Sequence, residues 1–532
     1  MTYKKPEFLN MIRMALSCLL PIILLMVSCK ETKEEKRSPN IIYILADDMG
    51  YGDVSILNKE SKIFTPNLDR LGQQGILFTD AHTSSSVCTP TRYGILTGRY
   101  NWRSRLKSGV LTGKSKALIP NTRTTVASML KKKGYTTAFI GKWHLGWDWA
   151  YENNTDTGGD GWNKEDFKNI DFTKPVLNNP NDLGFDYAYG HSGSLDMAPY
   201  VYVENGRVTS IPRSTTVDKG KYSWWREGPT AKDFVHEEVT PNFFDRANEY
   251  VQRAAANDTP FFLYLALPSP HTPILPTKAW KGKSGLLPYA DFVLMVDHYL
   301  GELLNRLKKE GIEENTLVIF TSDNGCSPAA GIEELQELGH YPSYIYRGHK
   351  ADIFEGGHRV PFMVKWPSVI KPGSKSDALV GTTDLMATLA EITSYSLKED
   401  EGEDSISMLP LFQEETKNNH QRETVVNHSI NGDFAIRKGD WKLIMTPGSG
   451  GWSYPNPNRD SLALKSLPPM QLYNLRTDPQ ESKNLYDKET SKVMELRNIL
   501  INQIEKGRST RGAPQENDSI HFEWTQIDFI NS

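Results

Sequence analysis

Four long apolar runs constrain this chain more than any other feature. They are Asn40-Ile41-Ile42-Tyr43-Ile44-Leu45-Ala46, Thr136-Thr137-Ala138-Phe139-Ile140, Phe261-Phe262-Leu263-Tyr264-Leu265-Ala266 and Thr316-Leu317-Val318-Ile319-Phe320-Thr321, and each gives way to polar residues at its C-terminal end. A half-buried strand alternates apolar and polar side chains; a nearly continuous run rich in β-branched residues marks a strand covered on both faces, as in a parallel sheet. Helical periodicity lies between the runs, at Thr125 to Lys133 before Gly134 and at Asp291 to Lys309 before Gly311. Glycine after a basic last turn is a helix stop. Alternating strands and helices predict an α/β sheet, which binds ligands beyond the carboxyl ends of its strands. Asp47, Lys142, His271 and Asp323 all fall there.

After about residue 425 the pattern changes. Asp433 to Arg437, Trp441 to Ile444 and Gln471 to Leu475 are short strand-like pieces in turn-rich surroundings, followed by a helical stretch at about Ser491 to Lys506. This predicts a smaller C-terminal α+β subdomain, residues 426–532, with an antiparallel sheet packed by the terminal helix. The large domain is expected over 39–425.

At 532 residues the chain exceeds one ordinary domain. Its formal net charge of −4 lacks the basic excess of a nucleic-acid binder. The basic flank of Lys4, Lys5 and Arg13 precedes an apolar run from Met14 to Val27 that is shorter than the roughly 20 residues of a membrane helix. Basic, apolar and small residues in that order make residues 1–28 a secretory leader. Met26-Val27-Ser28-Cys29 resembles a bacterial lipobox, which predicts lipidation of Cys29, a polar tether over 29–38, and an exported protein anchored at the periplasmic or outer-membrane face of a Gram-negative bacterium; an ordinary leader cut nearby is the alternative. With Cys18 lost and Cys29 acylated, only Cys88 and Cys326 remain, so a disulfide framework is not expected.

Several short motifs carry chemistry. Asp47, Asp48, Asp323 and Asn324 offer oxygen donors at strand ends, a set suited to Ca²⁺ or Mg²⁺ and not to zinc. Taken singly, Asp47-Asp48 is also a polar turn and Asp323-Asn324-Gly325 a turn with Gly at positive φ. Cys88-Thr89-Pro90-Thr91-Arg92 taken singly is a buried cysteine in a turn.

Together the motifs resemble those of the type I sulfatases, within the alkaline phosphatase superfamily. Asp47-Asp48-Met49-Gly50-Tyr51-Gly52-Asp53 and Thr321-Ser322-Asp323-Asn324-Gly325 look like the family's two metal motifs. Cys88 to Arg92, continued by Gly94 and Leu96-Thr97-Gly98-Arg99, matches the longer signature, and Gly141-Lys142-Trp143-His144-Leu145-Gly146 the second. The resemblance implies a large mixed, mostly parallel sheet sandwiched by helices. It implies that a formylglycine-generating enzyme oxidises Cys88 to formylglycine, and that Asp47, Asp48, Asp323 and Asn324 hold Ca²⁺, with Mg²⁺ as the alternative cation. Arg92 would hydrogen-bond the formylglycine hydrate, whereas Lys142 and Lys350 would clamp sulfate oxygens. His271 would protonate the leaving sugar oxygen and His144 would accept the proton whose loss expels sulfate.

Ser194, in Gly190-His191-Ser192-Gly193-Ser194-Leu195-Asp196, resembles a family serine that touches sulfate. Glu355-Gly356-Gly357-His358 reads as a tight turn beside the metal site. The loop from Trp147 to Pro180 and the tyrosines around Tyr187 and Tyr200 would shape a sugar pocket, with Asp148, His191, Asp196 and Trp224-Trp225 as candidates. Asn101 to Val110 looks like sulfatases acting on sulfated hexoses. The expected activity is exo-acting removal of sulfate from galactose- or N-acetylgalactosamine-type residues of host or algal glycans. The competing readings are a phosphodiester or phosphonate hydrolase of the same superfamily, and a non-catalytic glycan-binding lipoprotein should Cys88 stay a thiol.

Overall fold

Strand β1 (Asn40–Ala46) occupies the middle of a ten-stranded sheet. The other members in chain order are β2 (Ile76–Phe78), β3 (Thr136–Lys142), β4 (Tyr187–His191), β5 (Val203–Glu204), β6 (Arg207–Val208), β7 (Phe261–Ala266), β8 (Thr316–Ser322), β9 (Phe362–Lys365) and β10 (Ser374–Ser376). Their spatial order is β10-β2-β9-β8-β1-β7-β3-β4-β5-β6. The computed structural model describes residues 38–152, 159–161, 164–413, 422–518 and 523–530, together with Met1. The leader, Cys29 and the tether lie outside the described residues apart from Met1 and Ser38.

The five strands from β8 to β4 run parallel, and their register sets the site. Ala46 stands opposite Ser322, Leu45 opposite Ala266, and Ala266 opposite Gly141. The carboxyl ends are therefore level, and the residues that follow emerge side by side. Ile41 to Ala46 are wholly buried, as are Phe262, Leu263, Leu265, Leu317, Ile319 and Phe320. Burial of consecutive residues means that both sheet faces are covered, and each such aliphatic side chain contributes roughly 1.5–3 kcal/mol of transfer free energy. The strands beyond β8 and β4 include antiparallel pairs, so the sheet is mixed.

Among the helices, α1 (Cys88–Thr97) and α2 (Val126–Lys132) both pack on α5 (Leu385–Ile392), while α3 (Val239–Ala255) packs on α4 (Pro288–Lys309). A four-stranded antiparallel sheet, β11 (Thr424–His428), β12 (Phe434–Lys438), β13 (Trp441–Ile444) and β14 (Gln471–Asn474), carries the terminal helix α6 (Thr490–Glu505). The pattern Thr424-Val425-Val426-Asn427-His428 was not expected as a strand, because two apolar residues between polar ones give too short a run. β11 begins ahead of residue 426. Tyr100 and Trp102, just after α1, enter the same core as Phe434, Leu443, Leu472 and Leu500, and the described residues from Pro39 onward pack as one unit.

Candidate active site

Asp47, Asp48 and Asp323 leave the level ends of β1 and β8 together. The backbone fixes them first: Asp47 N donates to Ser269 O at 3.0 Å, and Asp323 N to Ala46 O at 3.1 Å. Asp48 takes a left-handed φ of 64°, unusual for a residue with a Cβ. Its N–H donates to Asp323 Oδ1 at 3.2 Å. The three carboxylates bring ligand atoms within 4.8 Å of one another, and all three are buried. Asn324 donates from Nδ2 to Asp48 Oδ1 at 2.7 Å.

Three bases close on these acids. Arg92 donates from Nε and Nη2 to Asp323 Oδ2 at 3.1 and 2.8 Å, and Nη2 lies 3.2 Å from Asp47 Oδ2. Lys142 pairs with Asp47, and Lys350 with Asp48 at 2.7 Å. Lys142 reaches the cluster because β3 and β7 approach closely at Gly141, whose φ of 132° no side chain tolerates and whose Cβ would strike Ala266 O. Lys350 is held by its neighbours: its N–H donates to Cys326 O at 2.9 Å, and the N–H of Ala351 to Ser86 O at 2.8 Å.

Cys88 is the first residue of α1. Val87 before it is extended, Pro90 sits in the first turn where no helical N–H is lost, and Gly98 at φ 62° ends the helix. The thiol lies within 4.8 Å of groups on Asp47 and His271. Burial raises its pKa, but Lys142 and Lys350 outweigh that and bring it down to about 7. Burial and the charge of Asp47 push Asp323 up, a sign that these carboxylates resist ionising together. Burial and Lys350 lower His271, yet Asp48 and Asp47 lift it to about 9.

The two histidines differ in tautomer. His144 Nε2 faces Leu111 O at 2.8 Å; a carbonyl only accepts, so Nε2 carries hydrogen and the buried Nδ1, which has no partner among the described residues, carries a lone pair. Burial and Lys142 hold this imidazole neutral, with its pKa well below the usual value. His271 Nδ1 faces Thr272 O at 2.5 Å and its Nε2 lies 3.7 Å from Asp48 Oδ2.

The sugar-site candidates separate. Ser194 and Asp196 hydrogen-bond to each other, and Asp196 pairs with Arg226, whose guanidinium stands 4.8 Å from the Trp224 ring centroid. Burial would raise Asp196, but His271 and Arg226 hold it below the usual range, which ties this wall electrostatically to the reaction centre. Asp148 is instead committed to the loop, accepting from Ala117 N at 3.1 Å and Asn178 Nδ2 at 2.6 Å. His191 is packed between Phe234 and Phe243 at 5.9 and 5.8 Å and is only 2% exposed. The rings enclose His191, whereas Asp148 keeps part of its surface exposed. Trp147 packs at 5.5 Å against Trp149 in the interior, and Trp225 stacks on His236 at 4.0 Å.

His358, in the Glu355-Gly356-Gly357-His358 turn, is buried in a charge network. Its Nδ1 lies 3.0 Å from His82 Nδ1 and its Nε2 3.0 Å from Lys442 Nζ. Lys442 also pairs with Glu355 at 3.1 Å and Glu481 at 2.8 Å. Although His82, Glu355 and His358 are close enough to hold an ion, Lys442, Arg359 and Arg437 already supply the positive charge. Sequence reasoning missed this network and Arg226, because the partners lie tens or hundreds of residues apart.

A family model described as "Sulfatase" matches residues 39–395, and one described as "N-sulphoglucosamine sulphohydrolase, C-terminal" matches 348–451. The chain is 33% identical to an N-acetylgalactosamine-6-O-sulfatase of Bacteroides thetaiotaomicron, covering 91% of this chain and 97% of the relative. It is 31% identical to human arylsulfatase A, covering 84% and 83% respectively. A solved Bacteroides thetaiotaomicron structure, described in connection with the metabolism of multiple glycosaminoglycans, superposes with a TM-score of 0.74 at 32% identity and covers 88% of this chain and 99% of its own.

Proposed function

The chain belongs to the sulfatase family of sulfuric ester hydrolases, and we propose that it removes a 6-O-sulfate from a galactose- or N-acetylgalactosamine-type residue at the end of a glycan. The observation that carries this reading is the convergence of Cys88, Arg92, Lys142, Lys350 and His271 on the acids Asp47, Asp48 and Asp323 at the carboxyl ends of the central strands. The choice of sugar and position rests on the relatives, several of which are N-acetylgalactosamine-6-sulfatases.

The acid cluster fits a hard divalent cation. Asp47 Oδ1 and Asn324 Oδ1 are buried oxygens without a hydrogen-bond partner among the described residues, and three carboxylates crowd within 4.8 Å. An all-oxygen donor set of Asp47, Asp48, Asp323 and Asn324 favours Ca²⁺, with Mg²⁺ as the alternative. Bound there, the cation supplies positive charge to a sulfate oxygen and to the nucleophile. Conversion of Cys88 to formylglycine by a maturation enzyme supplies that nucleophile, an aldehyde hydrate.

The chain's own residues do the rest. Arg92, anchored on Asp323, orients the group at position 88. Lys142 and Lys350 present ammonium donors to sulfate oxygens and stabilise the charge that grows there. His271, when doubly protonated, donates from Nε2 to the departing sugar oxygen. His144 accepts at Nδ1, the nitrogen its tautomer leaves free. The buried surroundings of Cys88 keep bulk water from the nucleophile. Ser194, Asp196 and Arg226 supply hydrogen-bonding groups to the sugar under Trp224.

Export and acylation at Cys29 belong to the same proposal and rest on the N-terminal sequence. Labelled palmitate should mark the native chain in cells and leave Cys29→Ala unlabelled.

The central test is sulfate release from a panel of 6-O-, 4-O- and 3-O-sulfated galactose and N-acetylgalactosamine, using protein matured beside a formylglycine-generating enzyme and Cys88→Ala as blank. Release from the 6-O isomers alone, absent in the blank, supports the proposal. No release from any sugar, with formylglycine verified by mass at position 88, defeats it.

A further inference from the structure

The terminal helix forms one wall of a groove that plays no part in the reaction just described. The groove encloses about 1270 Å³ between α6, the segment Arg508 to Gly512, Ser405-Ile406 and the start of β11. Past Arg422, Glu423 and Lys438 it continues into a depression of about 450 Å³ lined by Trp441 and Lys492. None of the acids, bases or histidines of the reaction centre lines either part.

Its charge is uneven. Lys506 and Arg511 are exposed and, among the described residues, pair with no acid, while Lys438 and Lys492 share one carboxylate, Glu495, at 3.1 and 2.5 Å. The other two cations are neutralised: Arg422 pairs with Asp384, and Arg508 with Glu399 at 2.7 Å. Asp440 is likewise matched, by Arg476 at 2.7 Å, which leaves Glu423 as the acid of the wall outside an ion pair. The groove is thus positive on a chain whose formal net charge is −4, a local field that attracts an anion.

Its polar lining is suited to hydroxyl groups as well. Asn498 and Asn502 stand one turn apart on α6, and Lys506 at its C-cap continues their stripe. Gln503 is 7% exposed and donates from Nε2 to Thr424 Oγ1 at 2.9 Å, but its buried Oε1 has no partner among the described residues. The exposed amides of Asn498 and Asn502 are the wall groups that can donate to and accept from ligand hydroxyls. Amides for hydroxyls, an aromatic face at Trp441 and separated cations for acidic substituents together describe a sulfated glycan.

We propose that this groove is a second glycan site, which holds a sulfated segment of a polymer away from the reaction centre. It goes beyond the sulfatase reading and does not depend on turnover, so protein carrying Cys88→Ala tests it directly.

The experiment titrates Cys88→Ala protein with chondroitin 6-sulfate chains, with chemically desulfated chondroitin, with inorganic sulfate and with a single-stranded DNA oligonucleotide. A second protein adds Lys506→Glu and Arg511→Glu at exposed positions, and its melting temperature is measured beside that of the parent to show that it is folded. The expected result is tight binding of the sulfated chain alone, weakened at least about tenfold by the charge reversals, as lost electrostatic complementarity predicts. Sulfate release from a monosaccharide by matured protein should be unaffected by the same reversals. Equal affinity of both proteins for the sulfated chain overturns the proposal, and so does binding of desulfated chain, DNA or inorganic sulfate as tight as that of the sulfated chain. Failure of the monosaccharide assay would instead strike the substrate reading and leave the binding result standing.

Discussion

Lys350 Nζ lies 2.7 Å from Oδ1 and 2.9 Å from Oδ2 of Asp48, joining residues 302 apart in sequence. The contact gives the acid cluster a second ammonium, on Asp48, beside that of Lys142 on Asp47. Both ammonium groups also act electrostatically on the thiol at position 88. Burial lowers Lys350, but Asp48 outweighs it and holds the ammonium charged far above neutrality.

Metal removal should be visible in stability as well as in activity. A ligand that binds only the folded state stabilises it by about 2.7 kcal/mol at 100 times its dissociation constant. Chelation with EDTA should therefore lower the melting temperature by several degrees, and excess Ca²⁺ should restore it. An unchanged melting curve in chelator, Ca²⁺ and Mg²⁺ would remove the metal assignment of Asp47, Asp48, Asp323 and Asn324.

The two histidines should respond differently to the leaving group. Loss of a general acid or base costs about 10²–10⁴-fold in rate. His271→Asn should lose that much on a sugar sulfate and recover most of it on 4-nitrophenyl sulfate, whose phenolate departs without a proton. His144→Asn should stay slow on both. Equal losses on the aryl substrate would show that the roles given to Nε2 of His271 and Nδ1 of His144 are wrong.

Arg226 is expected to act on binding. Arg226→Ala frees Asp196 from its pair and removes one donor from the wall beneath Trp224. The KM for the preferred sugar sulfate should rise about tenfold or more with kcat little changed, the signature of lost ground-state binding. Kinetics on 4-nitrophenyl sulfate, which lacks a sugar, should be unaltered. A fall in kcat on both substrates would assign Arg226 to the reaction centre itself.

Acid should destabilise the fold through its buried neutral histidines. His428 is fully buried and its pKa is lowered by that burial to about 4. The unfolded chain binds this proton below about 6.5 while the folded chain refuses it, so stability is complete above 6.5 and falls as pH drops toward 4. Denaturant unfolding followed from pH 7 to 4.5 should show a decline, and His428→Gln should decline less steeply by close to one proton. A steeper decline in the variant would reverse the assigned sign.

The candidate site motifs were legible because each is a short run whose chemistry is local. Asp47-Asp48 and Asp323-Asn324 follow strands that announce themselves by continuous apolar sequence, and Cys88 to Arg92 carries thiol and guanidinium one helical turn apart. The sugar-facing groups were less legible. Asp148 and His191 have the side chains expected of sugar ligands, yet loop hydrogen bonds occupy one and phenylalanines enclose the other. Arg226 carries no local signal, since its partner Asp196 is 30 residues away. β11 escaped notice because its apolar content is two residues, and its strand character comes from pairing with β12.

The four central strands, the polar residues at their ends and the candidate site motifs were determined by sequence alone, because burial on both faces demands apolar runs and the chemistry demands particular side chains. Tertiary structure decided which groups meet. Parallel register levels the ends of β1, β7, β8 and β3, and that alignment turns four distant segments into one charged cluster. It also decided which candidates are spent on packing and which stand beside the charged cluster, for that depends on the neighbours a side chain finds in space.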